Sequence, residues 1–396
     1  MLQKLKKIDS TIIWILCFFM LASILLIHSG IQYSPEKFAG SEMKMVIYYL
    51  LSFAALLVTA LFHYKLILKY YWYIYGAGIL LLIYVSFFGK VINGSRGWIS
   101  IPHLFNVQPA EVFKIVLIIT LGGILMKQNK KLTFWRNIIP LSLVTLLPFA
   151  LVMKTNDMGN ALSYLVILIG MLWIGDIKNR HALIILLLIA VLSVGGIKSY
   201  ITFHDQITTY LSNTEKGHWL DRIDPWLLPE EAGKDASYHT RNAKIAIASG
   251  GLLGKGYKQG TMVQTGYVPY TYSDSIIVVA AEEFGFLGVS LLLFLYFILI
   301  YRLIYIALEC KNKAGPILIV GIVAMFIYQI FENVGMFIGL MPLTGITLPF
   351  LSFGGSSLLI NMLCIGVVLS IKVNDEVIDD ILPSTESLQL NKRTVL

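Results

Sequence analysis

Asp274 stands where a polar stretch turns into an apolar run, in Tyr272-Ser273-Asp274-Ser275-Ile276-Ile277. A carboxylate at such a boundary can take a proton from a hydroxyl, or it can cap a helix. General base work needs the acid within reach of a bound substrate. Capping needs it just ahead of an apolar helix, where it accepts from the first free N–H groups. No Glu or Gln follows at the third position, so the reciprocal capping box is absent and both roles stay open.

Other ionisable residues fall inside apolar runs. Glu111 and Lys114 lie three apart and share a helix face. Glu282 and Glu283 sit about two turns into a later run, pointing about 100° apart, and Glu332 lies in the next. Charges in such places are costly and mark a path or a site. The plainer readings are an ion pair for Glu111 with Lys114, and a loop cation as partner for one of the Glu282/Glu283 couple. Ser249-Gly250-Gly251-Leu252-Leu253-Gly254-Lys255-Gly256 has the look of a phosphate loop, but the Gly-to-Gly-Lys spacing is short and no Ser or Thr follows the lysine. Its glycines are expected to let backbone approach something closely, or to end the helical stretch 242–248.

These residues must be positioned by a membrane protein. Hydrophobic residues are 57% of the 396 and charged residues only 14%, well under the soluble norm. The net charge of +8 sits in short segments such as Lys127, Lys130, Lys131 and Arg136, an orientation signal that argues against nucleic-acid binding. Cys17, Cys310 and Cys364 have no metal or disulfide spacing, and no metal site is expected. Lys4, Lys6 and Lys7 precede an apolar run too long for a cleaved leader, so it reads as a first span.

An all-α polytopic fold follows, with about ten spans near 11–30, 45–63, 70–89, 110–126, 137–153, 158–175, 181–197, 275–301, 315–338 and 355–372. Basic short loops place the N- and C-termini inside, and one large extracytoplasmic loop, about 198–274, between spans 7 and 8. Residues 1–373 read as one membrane domain and 374–396 as a polar cytoplasmic tail.

Four blocks in order resemble the SEDS family (shape, elongation, division and sporulation; RodA, FtsW, SpoVE), across nearly the whole chain. They are Gly94-Ser95-Arg96-Gly97-Trp98 with Gln108-Pro109-Ala110-Glu111-Val112-Phe113-Lys114; the stretch 246–256; Asp274 with Glu282-Glu283-Phe284-Gly285; and Pro342-Leu343-Thr344-Gly345 through Ser356-Ser357. Three places depart from the family's look. Thr155-Asn156-Asp157 keeps only the acid of the usual Gln-Pro-Asp, Tyr238-His239 stands for Tyr-Gln, and Ser273-Asp274-Ser275 for Thr-Asp-Phe. The look is closer to the RodA branch.

The resemblance implies a multi-pass protein of the bacterial cytoplasmic membrane. Its activity would be that of a peptidoglycan glycosyltransferase polymerising lipid II at the outer face, in elongation or division, beside a class B penicillin-binding protein and membrane lipids. Asp274 would be the base, giving inversion with undecaprenyl pyrophosphate as leaving group. Arg96, Lys114, Arg241, Lys244 and Lys255, with Lys258, are the cations expected at the pyrophosphate, the arginines foremost for their fork. Glu111, Asp157, Glu282, Glu283 and Ser356 are the supporting polar groups. No tightly bound cofactor is expected, although Mg2+ or Mn2+ could share the diphosphate charge. The alternatives are a lipid II flippase using Glu111, Lys114, Glu282 and Glu332 as a path, and a non-catalytic scaffold for the penicillin-binding protein.

Overall fold

The computed structural model describes residues 7–34, 36, 38, 40–92, 95–100, 106–128, 131–212 and 217–374. The polar tail expected from 374 onward therefore lies outside the described residues apart from Asn374 itself.

Each of the ten expected segments contains a helix. The chain runs through α1 (Ser10–Gly30), α2 (Ser41–Leu61), a short α3 (Tyr64–Lys69) and α4 (Tyr71–Phe88). Next come α5 (Pro109–Leu125), α6 (Ile139–Lys154), α7 (Met158–Ile174) and α8 (Asn179–Thr202). Four shorter helices follow, α9 (His204–Ser212), α10 (Leu220–Leu227), α11 (Lys234–Gly250) and α12 (Thr261–Gln264), then α13 (Ile276–Glu309), α14 (Ala314–Ile338) and α15 (Gly355–Asn374). Among the described residues eight helices are long and apolar enough to cross a membrane, α6 counting together with the π-helical segment Phe134–Ile138 that leads into it. Helices α5 and α7 have only 17 residues each, and α5 buries Glu111 and Lys114.

Two expectations need correction. The large connecting segment starts later than 198, because α8 continues to Thr202. The fold also holds a small antiparallel ribbon, β1 (Lys90–Ile92), β2 (Ser95–Ser100) and β3 (Asn106–Val107), which helical periodicity could not announce. Its anchor is Thr155 O, which accepts from Arg96 N at 3.1 Å and Ser95 Oγ at 2.9 Å.

Helices α15 and α5 are the most buried, and α15 lies along α2 while α14 lies along α7 and α13. Helix α8 buries none of its residues.

The glycine stretch has a definite structural use. Helix α13 is broken at Gly285, where φ is +66°. The turn at 250–256 plugs the break: Phe286 N donates to Gly251 O, Leu287 N to Leu252 O, Lys255 N to Glu282 O and Gly256 N to Glu283 O, at 2.9–3.1 Å. Backbone groups freed by the break are thereby satisfied, as an apolar environment demands. A Cβ on Gly254 would lie 2.2 Å from Glu283 O at φ +80°, whereas one on Gly251, at φ +56°, would meet nothing within 4 Å. Gly251→Ala should therefore cost only the backbone strain of about 1–3 kcal/mol. Gly254→Ala should lower the melting temperature in detergent further, and equal effects would contradict the plug.

Candidate functional site

A cavity of about 450 Å3 gathers the β ribbon, the N-terminus of α5, the turn before α7, the start of α10, His239 of α11, the turn at 270–274, the non-helical stretch 343–354 and the first residues of α15. These segments all lie at the same end of the bundle as the long 203–275 connection. Each is held there by identifiable bonds.

Gln108 joins three of them. Its side-chain Nε2 donates to Asp157 Oδ2 at 2.6 Å and its backbone N–H to Ser356 Oγ at 3.2 Å. Pro109 then opens α5, where the missing N–H costs nothing. Asp157 caps α7 through Asn160 N at 3.2 Å and also accepts from Asn160 Nδ2 at 3.0 Å. Its oxygens are thus largely spoken for. Glu111 also lines the cavity, and its Oε2 meets fully buried Lys114 Nζ at 2.6 Å.

Asp274 differs from these acids. Helix α13 begins at Ile276 with Ser275 in the capping position, and no side chain caps it. The capping role open to Asp274 is not realised. Its half-buried carboxylate has its own N–H and that of Ser275 nearby, and among the described residues no side-chain hydrogen bond. Burial pushes the carboxyl up to about 6, against those N–H groups and the charge of Arg222. Gly345, at φ +75°, borders it without a side chain; a Cβ there would sit 3.8 Å from Oδ2.

Ser275 ties the turn instead. Its hydroxyl donates to Pro269 O at 2.7 Å and so accepts from His239 Nε2 at 3.1 Å, which assigns the His239 proton to Nε2. Burial pushes His239 down to about 4, leaving the ring neutral.

Arg222 is the only Arg or Lys on the cavity wall among the described residues. Burial draws its guanidinium below the usual range while Asp157 and Asp274 oppose that shift. Sequence reasoning passed over Arg222. The available signal was its place between Trp219 and Trp226, aromatic flanks typical of an interfacial helix.

The structure brings Asp274, Glu111, Asp157 and Ser356 to one cavity, but not the expected cations. Arg96, Arg241 and Lys244 are exposed and off the wall. Lys255 pairs with Glu282 at 2.7 Å, and exposed Lys258 meets His28 Nε2 at 2.6 Å. Glu282 also accepts from Met262 N and Val263 N, both at 2.9 Å, while Glu283 accepts from Ser29 Oγ and from Gln264 Nε2 at 3.0 Å. Glu332 accepts from Thr344 Oγ1 at 2.9 Å. Glu111 and Lys114 thus pair with each other, while Glu282 and Glu332 are held by other groups.

The fold and site define an integral membrane protein with a carboxylate-walled cavity at one end. A family model for cell cycle proteins, FtsW, RodA and SpoVE, matches residues 5–377. Stage V sporulation protein E of Bacillus subtilis (strain 168) is 32% identical over 294 residues, 74% of this chain and 75% of its own length. The peptidoglycan glycosyltransferase MrdB of Escherichia coli (strain K12) is 32% identical over 301 residues, 76% of each chain. A crystal structure of the Thermus thermophilus rod shape determining protein RodA, in an Asp-to-Ala mutant, aligns with TM-score 0.64 at 25% identity, covering 94% of this chain and 99% of that one. A chain of a peptidoglycan synthase complex that coordinates polymerization and crosslinking shares the fold, with TM-score 0.75 at 24% identity over 93% of this chain and 98% of that one. The chain belongs to the FtsW, RodA and SpoVE family.

If Arg222 supplies the positive charge of this cavity, Arg222→Ala should lower turnover about 10²-fold or more in a purified polymerisation assay. Arg241→Ala, off the wall, should change it less than twofold. The reverse order of effects would return the cationic role to α11.

Proposed function

We infer that this chain is a peptidoglycan glycosyltransferase that polymerises lipid II, with Asp274 as the general base. The observation that carries this is a half-buried carboxylate lining a cavity with no side-chain hydrogen bond among the described residues, while Glu111 and Asp157 are engaged. In the reaction Asp274 takes the proton from the 4-hydroxyl of the acceptor sugar. The oxygen attacks the anomeric carbon of the donor, and the lipid diphosphate leaves from the opposite face. A positioned base of this kind supplies about 10² to 10⁴ in rate.

The wall charge sorts the substrates. Glu111, Asp157, Asp221 and Asp274 face a single guanidinium, Arg222. A neutral sugar hydroxyl suits the carboxylate side; a diphosphate belongs beside Arg222, whose planar fork matches phosphate oxygens. Among the described residues no three His, Cys, Asp or Glu side chains converge to hold a metal. The residues form no metal cage, so a Mg2+ or Mn2+ sharing the diphosphate charge would be held largely by the substrate's own phosphate oxygens.

Orientation follows from the same chemistry. Short basic segments put both termini inside the cytoplasmic membrane, so the cavity opens at the outer leaflet, where lipid-linked sugar is the activated donor available. Residues 1–373 act as one membrane unit, with the tail from 374 in the cytoplasm. A class B penicillin-binding protein, which would crosslink the strands made here, is the proposed partner.

The base must be ionised to work. With its carboxyl near 6, turnover should rise through about pH 6 and level off above 7. Turnover of the purified protein measured from pH 4.5 to 8 checks this, and a flat profile across that range would remove Asp274 from the proton transfer.

A further inference from the structure

We propose that Asn333 is a positioning residue for the glycosyl transfer, acting as a clamp that holds the Asp274 turn against the 342–349 stretch. This rests on the reading of Asp274 as the base.

Asn333 lies near the end of α14 and is fully buried. Its amide nitrogen donates to Asp274 O at 2.8 Å and to Ile346 O at 2.7 Å. An amide has two N–H groups, and here each is used on a different carbonyl. The opposite flip would set Oδ1 against both carbonyl oxygens, so the assignment follows from the acceptors themselves. The two carbonyls belong to the two segments that face each other across the base. One carries the carboxylate; the other carries Gly345 and Thr347 on the opposing wall.

The clamp has no substitute nearby. The turn is also fixed by Ser275 to Pro269 and by Phe353 N to Tyr272 O at 2.9 Å, but neither bond reaches Ile346. Asn333 Oδ1 is buried without a hydrogen-bond partner among the described residues. A buried polar atom left unpaired opposes folding, and an apolar side chain of similar size would avoid that cost. The position therefore favours two aimed donors over stability, which suits placement of the base.

Charged and titratable groups around Asp274 come from every side: Arg222 and Asp221 from α10, His239 from α11, Tyr270 and Tyr272 from its own turn, Asp157 and Glu111 across the cavity. None of them contacts Asn333's amide nitrogen. Releasing the clamp lets water reach the carboxylate, which lowers its pKa toward the ordinary value, so the acid limb of the pH profile moves to lower pH as the plateau falls.

The test uses the purified full chain in detergent with lipid II, comparing wild type with Asn333→Leu, which keeps the size and removes both donors without adding charge, and Asn333→Ser, which keeps one donor. The expected result is a kcat at least 30-fold lower, KM within about twofold, and an acid limb below the wild-type one, with folding shown by an unchanged elution profile. Wild-type kcat or an unmoved limb in both folded variants overturns the clamp. So does loss of folded protein in both, which makes Asn333 a stability residue. If the wild type itself shows no acid limb near pH 6, the failure lies with Asp274 as base rather than with the clamp.

Discussion

Backbone polar groups buried away from water have to find partners, and that constraint organises the functional end of this molecule. The stretch between α14 and α15 is not helical, so its carbonyls have no internal ladder. Side chains from four helices answer them: Ser23 donates to Leu351 O at 2.7 Å, Tyr49 to Phe350 O, Tyr296 to Pro349 O and Asn333 to Ile346 O. Phe350, at φ +65°, is held in a conformation that few non-glycine residues adopt. A wall of irregular backbone is thereby made rigid, and a substrate can be gripped by main-chain geometry as well as by side chains. The plugged break in α13 is a second solution to the same problem. Together they hold the turn bearing Asp274 between two fixed bodies.

Within that frame the acids divide by their partners. Asp157 and Glu282 accept several hydrogen bonds each and act as braces. Glu111 is neutralised by Lys114. Asp274 keeps a lone, half-buried carboxylate facing the cavity, and burial raises its basicity. A stronger base poised near the working pH transfers protons better than an ordinary surface carboxylate. The same neighbourhood that makes the acid basic also makes the cavity poor for free anions, and this gives Arg222 its importance.

Parts of this were legible in the residues alone. Asp274, Glu111, Asp157 and Ser356 stand in blocks whose types and order point to one site, and apolar runs of span length located the helices. The break in α13 was hidden because Gly285 sits within a mostly apolar run of span length, where a glycine is ordinarily tolerated. The β ribbon was hidden because its strands are two to six residues long. The cations were misplaced for a different reason. Arg96 and Arg241 stand out by type and by nearness to recognised blocks, while Arg222 reaches the cavity from α10, outside those blocks. Long-range placement of that kind leaves no periodic trace. His239, where the family look has Gln, became interpretable only once its bond to Ser275 was seen.

The most direct measurement is glycan polymerisation by purified Asp274→Asn beside wild type, at equal amounts of folded protein and pH 7.5. Asparagine keeps the shape of the side chain and its capacity to cap a helix, but it cannot accept a proton. The account predicts a rate at least 10²-fold lower with the protein intact. Polymerisation at the wild-type rate would show that the carboxylate serves only the architecture of the turn.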